Sequence, residues 1–434
     1  MPFLPDTMAV LGALVGEPGV FLLDSSDGSG WSYIGVCPVR TWSGNSLPDW
    51  DKFREEARPF LGLARSSGVP FPAGIMGAVS YDLGLLLEGV VSRHPGLQDG
   101  SALFSFGYYE SVLAFCHGRG QAFLCGREGS PSWRILKEAS AVRSASLSSS
   151  SARPLVPPPG MALPLSDHDE ARYVQMVLRA LALIQAGEIY EVNCSRRFYI
   201  PRLFSLPEAF LLYQRLRVHS PVPYGAFWSA GAMKVLSASP EMFLDLYDGR
   251  VMTRPMKGTR PRGNDAAADA RYRRELEESP KERAELLMVT DLLRNDLGKV
   301  CRTGSVVVRD LRTIEPYRGV FQATSCVEGR LRQGQDAFDL IEAAFPGGSV
   351  TGCPKHRAVL AIDGLELSRR GYYTGALGYI SCYGDMMLNM LIRTVILDRC
   401  GAHFSAGGGI VADSDPALEY EETALKAEGM AAAF

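Results

Sequence analysis

The sequence has few of the features that mark membrane-spanning or secreted proteins. No apolar run approaches the roughly 18 residues that a membrane-spanning helix requires. The apolar stretch from Met8 to Gly16 is short, and the first basic residue after the amino terminus is Arg40. A secretory signal would need a positively charged segment before a longer apolar one. We therefore expect no membrane association and predict a cytoplasmic protein.

Cysteine, histidine and surplus charge are also scarce. The nine cysteines are an odd number without a C-x-x-C pair, and the six histidines are isolated, without an H-E-x-x-H pattern. A disulfide framework, a zinc ribbon and a histidine-based metal site are therefore not supported. With 45 basic and 48 acidic side chains the net charge is −3, which provides no basic surface for nucleic acid.

Nucleotide-binding loops are missing as well. The segment FPGGSVTGCPK at 345–355 resembles a phosphate loop, but Cys353 follows Gly352 where that loop requires lysine. The AGGG segment at 406–409 does not have the G-x-G-x-x-G spacing and leads into strand-like residues. Neither segment predicts a nucleotide site.

The chain that remains is an ordinary globular one of 434 residues with 46% apolar residues, which excludes general disorder. A Ser- and Pro-rich stretch at 143–165 predicts a linker or surface loop between segments 1–142 and 166–434. Helical and antiparallel strand patterns are mixed without regular β-α-β alternation. This mixture favours an α+β fold.

Apolar spacing also predicts particular elements. One helix is expected over 166–188, with Ser166 or Asp167 as its N-cap, and another around 50–64. Turn residues predict two antiparallel hairpins. These hairpins pair 235–246 with 250–253 around Asp248-Gly249, and 386–397 with 402–405 around 398–401.

Two helices carry pairs of glutamates. Over 279–298, Ser279 fits an N-cap and Glu282 the third position of a capping box, with Glu285 on the same face. The simple interpretation is a capping box followed by a solvated carboxylate.

The second helix is predicted over 413–430, with Ser414 or Asp415 as its cap. Here Glu419 and Glu422 lie three residues apart, and Lys426 lies four residues after Glu422. A surface salt bridge explains Lys426 and Glu422. The alternative is that both helices present glutamate pairs to one oxygen-liganded metal, for which Mg²⁺ is suited because it takes few carboxylates.

Two further residues suggest acid–base or nucleophilic chemistry. Lys257 lies among three arginines in a Pro- and Gly-rich turn, and such cations depress the pKa of a lysine amine and activate it as a nucleophile. Glu241 follows Pro240 in a strand-like run, where a buried carboxyl group can serve as a general acid. The alternatives are an exposed basic loop and an edge strand.

Taken together, these patterns resemble the chorismate-utilising enzyme family. The matching segments occur in the order of the family and cover about residues 166–430. They are GEIYEVNCSRRF (187–198), SASPEMFL (237–244), RPMKGTRPRG (254–263), ERAELLMVTDLLRNDLG (282–298), FPGGSVTGCPKHRAV (345–359), GYYTGALGYIS (371–381), LNMLIRTVIL (388–397) and GGGIVADSDPALEYEETALKAEGM (407–430).

The resemblance implies an α+β fold in which large antiparallel β-sheets pack face to face with helices outside. It assigns 1–142 to the N-terminal part of that fold and 166–434 to the chorismate-binding region. Mg²⁺ would be held by Glu285 and Glu422, supported directly or through water by Glu282 and Glu419.

The resemblance also implies the residues that contact chorismate. Glu241 matches the general acid for the leaving hydroxyl group, and Thr259 matches a position beside the ring. The positions that match substrate-carboxylate contacts are Arg393, Tyr373, Lys426, Gly407, Gly408 and Gly409.

Within the family, Lys257 in P-M-K-G-T is typical of aminodeoxychorismate synthases, whereas anthranilate synthases carry alanine there. The implied activity is conversion of chorismate and ammonia to 4-amino-4-deoxychorismate through a covalent Lys257 intermediate. The matched segments leave no room for a glutaminase, so a separate glutaminase subunit would donate the ammonia. Anthranilate synthase component I, or a catalytically silent binding or regulatory relative, is the alternative.

Two positions depart from the family pattern. Gln322 replaces a histidine that assists aromatisation in the anthranilate synthases, which favours a non-aromatic product. Glu191 stands where amidotransferase-linked members have glutamine and isochorismate synthases have a water-activating lysine. The sequence therefore disfavours addition of water at C2, and it gives Glu191 no role.

Overall fold

The computed structural model describes residues 5–95, 101–141, 164–317 and 319–434. The predicted linker at 143–165 therefore lies almost entirely outside the described residues and stays a prediction. In the part that is described, no helix is both long and apolar enough to cross a membrane.

The described residues form eleven α-helices and three short 3-10 turns. The helices are α1 (Thr7–Leu14), α2 (Leu47–Ala57), α3 (Tyr81–Leu87), α4 (Pro131–Ala139), α5 (Glu170–Gln185), α6 (Leu206–His219), α7 (Ala266–Glu278), α8 (Pro280–Gly298), α9 (Ala337–Ala344), α10 (Lys355–Leu365) and α11 (Pro416–Ala431). The 3-10 turns are Arg58–Phe60, His117–Arg119 and Gly348–Val350.

Twenty-one strands complete the described elements. They are β1 (Phe21–Asp24), β2 (Trp31–Gly35), β3 (Arg40–Gly44), β4 (Gly74–Val79), β5 (Phe104–Tyr109), β6 (Ser111–Cys116), β7 (Gln121–Gly126), β8 (Leu165–Ser166), β9 (Glu191–Ile200), β10 (Tyr224–Ala230), β11 (Met233–Ser239), β12 (Met242–Tyr247), β13 (Arg250–Thr253), β14 (Met256–Pro261), β15 (Val307–Pro316), β16 (Val320–Arg330), β17 (Gly352–Cys353), β18 (Ala376–Ser381), β19 (Met386–Met390), β20 (Thr394–Asp398) and β21 (Gly401–Ile410).

The strands build two large antiparallel sheets, which we call sheet A and sheet B. Sheet A has 11 strands in the order β17-β9-β21-β20-β11-β10-β1-β2-β6-β7, with β8 also pairing with β9. Sheet B has 10 strands in the order β14-β16-β13-β12-β19-β18-β4-β5-β3, with β15 also pairing with β16. Strands from before and after segment 143–165 are hydrogen-bonded neighbours in both sheets, as β1 with β10 and β4 with β18 show.

The sheets pack face to face through a buried aromatic layer. Tyr33 of sheet A contacts Tyr379 of sheet B with ring centroids 5.4 Å apart, and Phe71 stacks on Tyr379 at 4.4 Å. Separate apolar clusters cover the outer faces, with α1, α4, α6 and α11 on sheet A and α2 and α9 on sheet B. The predicted α+β fold, with face-to-face sheets and helices outside, is confirmed.

The predicted helices form, but two of them have different ends. Helix α5 is capped by Asp169, not by Ser166 or Asp167. Ser166 is held in β8 by pairing with Phe198, and the Asp167 carboxylate accepts the backbone N–H of Arg197. The helix expected around 50–64 begins earlier, in α2, because Ser46 provides its N-cap.

Both predicted hairpins are present. Asp248 and Gly249 have φ of 49° and 71°, the pair of positive values that a type I′ turn between β12 and β13 requires. In the second hairpin β20 pairs with β21, but segment 386–397 is divided into β19 and β20. The division lies at Arg393, whose φ is 49°.

Trp50 of α2 should contribute strongly to stability. It is fully buried, packs against Phe53, Phe104 and Phe338, and donates its indole N–H to Glu342 Oε1 at 2.7 Å. We expect Trp50→Ala to lower the free energy of unfolding by about 3–5 kcal/mol, since it leaves a large cavity. Urea denaturation measures this change.

Leu63 provides the matched control for that substitution. Its side chain is 60% exposed, so Leu63→Ala should change the free energy of unfolding by less than about 0.5 kcal/mol. Equal effects of the two substitutions would contradict the assignment of the α2 core.

Candidate active site

One cavity of about 830 Å³ opens where sheets A and B meet α8 and α11. The sequence drew thirteen candidate residues from six separate segments of the chain. The structure brings all of them to the wall of this cavity: Glu241, Lys257, Thr259, Glu282, Glu285, Tyr373, Arg393, Gly407, Gly408, Gly409, Glu419, Glu422 and Lys426.

Two of these residues project from points where the chain passes between the sheets. Glu241 lies between β11 of sheet A and β12 of sheet B, and Arg393 lies between β19 of sheet B and β20 of sheet A. The crossings run side by side, because Met390 N–H donates to Glu241 O at 3.1 Å and Ala238 N–H to Arg393 O at 3.0 Å. These backbone hydrogen bonds therefore fix the relative positions from which the two side chains project.

Glu241 has the properties of a general acid. Its carboxyl group is buried, and this burial raises its pKa to about 7 although Ser349 Oγ donates to Oε1 at 2.7 Å. A carboxyl group with this pKa is partly protonated near neutral pH and can transfer a proton to a ligand.

Arg393 has the properties of an anion site. Burial lowers the pKa of its guanidinium, and no ion pair joins it to any other residue that the structure describes. A half-buried guanidinium on a cavity wall, with no ion pair among the described residues, is suited to bind a ligand carboxylate bidentately.

Lys257 is held by Glu191 at the base of the cavity. Its Nζ lies 2.5 Å from Glu191 Oε1, and the two side chains are 10% and 2% exposed. Burial opposes the ammonium charge, but the carboxylates of Glu191, Glu285 and Glu241 outweigh burial and raise the pKa of Lys257. The expectation of a depressed pKa was therefore wrong for the free protein.

The three neighbouring arginines do not act on Lys257 because each has its own carboxylate. Arg254 pairs with Glu315, Arg260 with Glu282 at 2.7 Å, and Arg262 with Asp269 at 2.7 Å. These ion pairs neutralise the charges that the sequence suggested would activate the amine.

Helix α8 confirms its predicted start but not the complete capping box. Ser279 Oγ accepts the backbone N–H of Glu282, as an N-cap does. The Glu282 carboxylate binds Arg260 instead of returning to the Ser279 backbone. Glu282 therefore faces the cavity as one half of an ion pair.

The other three glutamates bring negative charge from two helices to one wall. Burial raises the pKa of Glu285 on α8 to about 7, and burial also raises the pKa of Glu419 on α11. Lys281 Nζ lies between them, 4.0 Å from Glu285 Oε1 and 3.7 Å from Glu419 Oε1. An ammonium group thus lies where two carboxylates from different helices require a cation.

Glu422 and Lys426 form the salt bridge that their spacing suggested. Lys426 Nζ lies 2.6 Å from Glu422 Oε1 and donates to Gly407 O at 2.9 Å. Burial acts to raise the pKa of Glu422, but the neighbouring Lys426 ammonium group outweighs burial, so the pKa is lowered. Both side chains remain on the cavity wall, so a substrate contact for Lys426 stays a prediction.

The donors fit a hard cation that also binds a ligand. Among the residues described, no group of three or more His, Cys, Asp or Glu side chains is arranged to hold a metal alone. Mg²⁺ needs only one or two carboxylates and completes its shell with water and substrate oxygens. The carboxylates of Glu285 and Glu422, with Glu419 beside them, match that requirement, and the ligand set stays a prediction.

Two glycines of β21, Gly408 and Gly409, allow charged groups to approach the strand. A methyl group at Gly408 would lie 2.9 Å from Glu419 Oε2. A methyl group at Gly409 would lie 2.4 Å from Glu191 Oε1 and 3.1 Å from Lys257 Nζ. Side chains at these positions would displace the carboxylates and the amine.

Tyr373, Thr259 and Gln322 line the remaining wall. Burial raises the pKa of Tyr373 to about 12, so its hydroxyl group stays protonated and can donate a hydrogen bond. Thr259 pairs with Gln322 across β14 and β16. The buried Oε1 of Gln322 has no hydrogen-bond partner in the described part of the chain.

Sequence reasoning missed three contributors to the site. It gave no role to Glu191, which holds Lys257, and it did not identify Ser349 or Lys281. Lys281 could have been found from its position four residues before Glu285. Ser349 gave no such signal, because its contact with Glu241 depends on a distant segment.

The chain matches the family model described as "chorismate binding enzyme" over residues 19–432. It is 34% identical over 435 residues to anthranilate synthase component 1 1 of Haloarcula marismortui, covering 95% of this chain and 86% of that protein. It is 37% identical over 359 residues to aminodeoxychorismate synthase component 1 of Salmonella typhimurium, covering 82% and 75%.

A solved structure has a similar fold over nearly the whole chain. Anthranilate synthase component I from Streptococcus pneumoniae aligns with a TM-score of 0.78 and 29% identity, covering 93% of this chain and 92% of that one. The similarity extends across both sheets. The relatives therefore agree on the family, and their names divide between two activities.

The raised pKa of Glu241 predicts how stability depends on pH. The unfolded carboxyl group ionises near its ordinary pKa of 4.5, but the folded one only near pH 7. Ionisation is thus disfavoured by folding, and stability falls as the pH rises from about 5 to 8. In Glu241→Gln this contribution disappears, so the variant should gain about 1–3 kcal/mol relative to the unmodified protein across that interval.

Chemical denaturation at several pH values, without added metal, measures this difference. Glu421→Gln is the control, because Glu421 is exposed on α11 and its loss should leave the pH dependence unchanged. If Glu241→Gln follows the unmodified protein at every pH, the buried acid is wrongly assigned.

Proposed function

The chain belongs to the chorismate binding enzyme family, and on that premise we propose that it is an aminodeoxychorismate synthase component I. It would convert chorismate and ammonia to 4-amino-4-deoxychorismate, the precursor of 4-aminobenzoate for folate synthesis. The observation that carries the proposal is a buried lysine amine, Lys257, in the same cavity as a proton-carrying carboxyl group, Glu241.

The proposed reaction uses these two groups in turn. The neutral amine of Lys257 bonds to C2 of chorismate, both ring double bonds shift by one position, and the C4–O bond breaks. Glu241 gives its proton to the departing hydroxyl group, which leaves as water. Ammonia then bonds to C4, both double bonds shift back, and the C2–N bond to Lys257 breaks to release the product. The ammonium group formed at C4 gives up one proton, which restores the Glu241 carboxyl group.

The other residues of the cavity would bind and orient the substrate. Chorismate carries two carboxylates, and Arg393 lines the cavity without an ion pair to any residue that the structure describes. The hydroxyl group of Tyr373 and the amides of the β21 glycines supply hydrogen-bond donors. We propose Mg²⁺ at Glu285 and Glu422, where it would neutralise one substrate carboxylate and stabilise charge near C4.

The ammonia is proposed to come from a separate glutaminase subunit. Relatives that share most of this chain are named as component 1 of their enzymes, which supports a second component. This chain would then supply the amination site, and its partner would supply ammonia.

Anthranilate synthase component I is the second candidate function. Its support is the 34% identity to a relative of that name over 95% of the chain. Against it, Gln322 occupies the cavity wall beside Thr259, and an amide cannot take the ring proton that aromatisation releases. A silent binding relative is the third possibility, and the product distinguishes all three.

One prediction of the proposed function concerns the product of the reaction. With chorismate, Mg²⁺ and ammonium, the protein should form 4-aminobenzoate only when an aminodeoxychorismate lyase is added. Lys257→Met should abolish this product, and Glu241→Gln should lower the rate by about 10²–10⁴-fold because a general acid is lost. Mass spectrometry and fluorescence identify the products.

Lys52→Met is the matched control, because Lys52 is exposed on α2 and far from the chemistry. It should retain full activity. Fluorescent anthranilate with pyruvate and no lyase requirement would establish the second candidate instead. No consumption of chorismate under any condition would leave only the silent relative.

Another prediction of the proposed function concerns the affinity for Mg²⁺. Glu285→Gln removes one carboxylate from the wall between α8 and α11, so Mg²⁺ binding should weaken by at least about tenfold. Calorimetric titration with chorismate present measures this affinity without depending on turnover. Exposed Glu421→Gln should bind Mg²⁺ like the unmodified protein, and an unchanged affinity in Glu285→Gln would exclude Glu285 as a ligand.

A further inference from the structure

Glu191 forms a buried ion pair with Lys257, which the sequence analysis did not predict. It begins β9, the strand next to the edge strand β17 of sheet A, and it pairs there with Cys353 of β17. Its side chain is 2% exposed, and Oε1 accepts from Lys257 Nζ at 2.5 Å. Gly409 of β21 packs directly against this ion pair, because a methyl group there would overlap Glu191 Oε1 and lie 3.1 Å from Lys257 Nζ.

The second oxygen of Glu191 has no partner. Oε2 is buried and receives no hydrogen bond from any residue that the structure describes. A buried carboxylate that is only half satisfied is a costly charge, and taking up a proton relieves that cost. Lys257 is therefore hydrogen-bonded to a carboxylate that can accept its proton, because Glu191 Oε2 has no hydrogen-bond partner among the described residues.

We infer that Glu191 positions Lys257 for attack and receives its proton. The inference rests on the proposed function, in which the neutral amine bonds to C2. Before attack, one proton moves from the Lys257 ammonium to the Glu191 carboxylate, which leaves a neutral amine and a neutral carboxylic acid. The proton returns when the C2–N bond breaks and Lys257 is released, so the pair is restored at the end of each turnover.

Other charges face this pair without replacing Glu191. Glu285 of α8, Glu422 of α11 and Glu241 at the sheet crossing all act on Lys257 through space. Cys353 of β17 lies beside Glu191. Within the described ranges, Glu191 is the carboxylate that forms an ion pair with Lys257.

The first test measures the amine without using the reaction. The protein is treated with acetic anhydride over a range of pH, and modification of the peptide that contains Lys257 is followed by mass spectrometry. Glu191→Gln removes the carboxylate that stabilises the ammonium form, so half-maximal labelling of Lys257 should move to lower pH by about 1–3 units. Exposed Lys52 is the internal reference and should label equally in both proteins.

The second test measures turnover across pH. Glu191→Gln should lower kcat by about 100-fold or more at neutral pH, with little change in KM and an altered pH profile, because proton acceptance is lost. Glu191→Asp keeps a carboxylate and should recover part of the rate. Glu342→Gln, which removes a carboxylate bound by Trp50 and Arg54 outside the cavity, should leave both labelling and kinetics unchanged.

The outcomes separate this inference from the proposed function. If the unmodified protein makes the amino product but Glu191→Gln has an unchanged labelling midpoint or an unchanged kcat, Glu191 has no such role and the proposed function stands. If the unmodified protein consumes no chorismate, the proposed function fails, while the labelling experiment still shows whether Glu191 controls the Lys257 amine.

Discussion

The site depends on two neighbouring passages of the chain between sheets A and B. Glu241 lies on one passage and Arg393 on the other, and backbone hydrogen bonds tie the passages together. The backbone positions from which the Glu241 carboxyl group and the Arg393 guanidinium project are thereby fixed by main-chain pairing. This constraint explains why the cavity lies at the junction of the two sheets.

The second constraint is the concentration of carboxylates around one cavity. Each buried carboxylate needs a proton, an ammonium group or a metal, and the described residues themselves supply the first two. The raised pKa of Glu241 leaves its carboxyl group partly protonated near neutral pH, Glu191 holds the Lys257 ammonium, and Glu285 faces Lys281. Under the proposed function, a dianionic substrate and Mg²⁺ would bind to such a site together, because each alone would leave unbalanced charge.

Much of this arrangement followed from the sequence, for identifiable reasons. Helix α8 and the turn at Asp248-Gly249 depend on local rules of capping and backbone conformation, so they were predicted correctly. The cap of α5 was wrong because strand pairing, which is not local, holds Ser166. The state of Lys257 was wrong for the same reason, since its nearest carboxylate comes from a strand 66 residues away in the sequence.

The central claim is that the Lys257 amine forms a bond to the substrate. The most direct measurement is rapid quenching of the protein with chorismate and Mg²⁺ in the absence of ammonia, followed by peptide mass spectrometry. The account predicts an adduct on the peptide containing Lys257, heavier by chorismate minus one water, which disappears when ammonia is added. Turnover of chorismate to an aminated product with no adduct on that peptide at any time would contradict it.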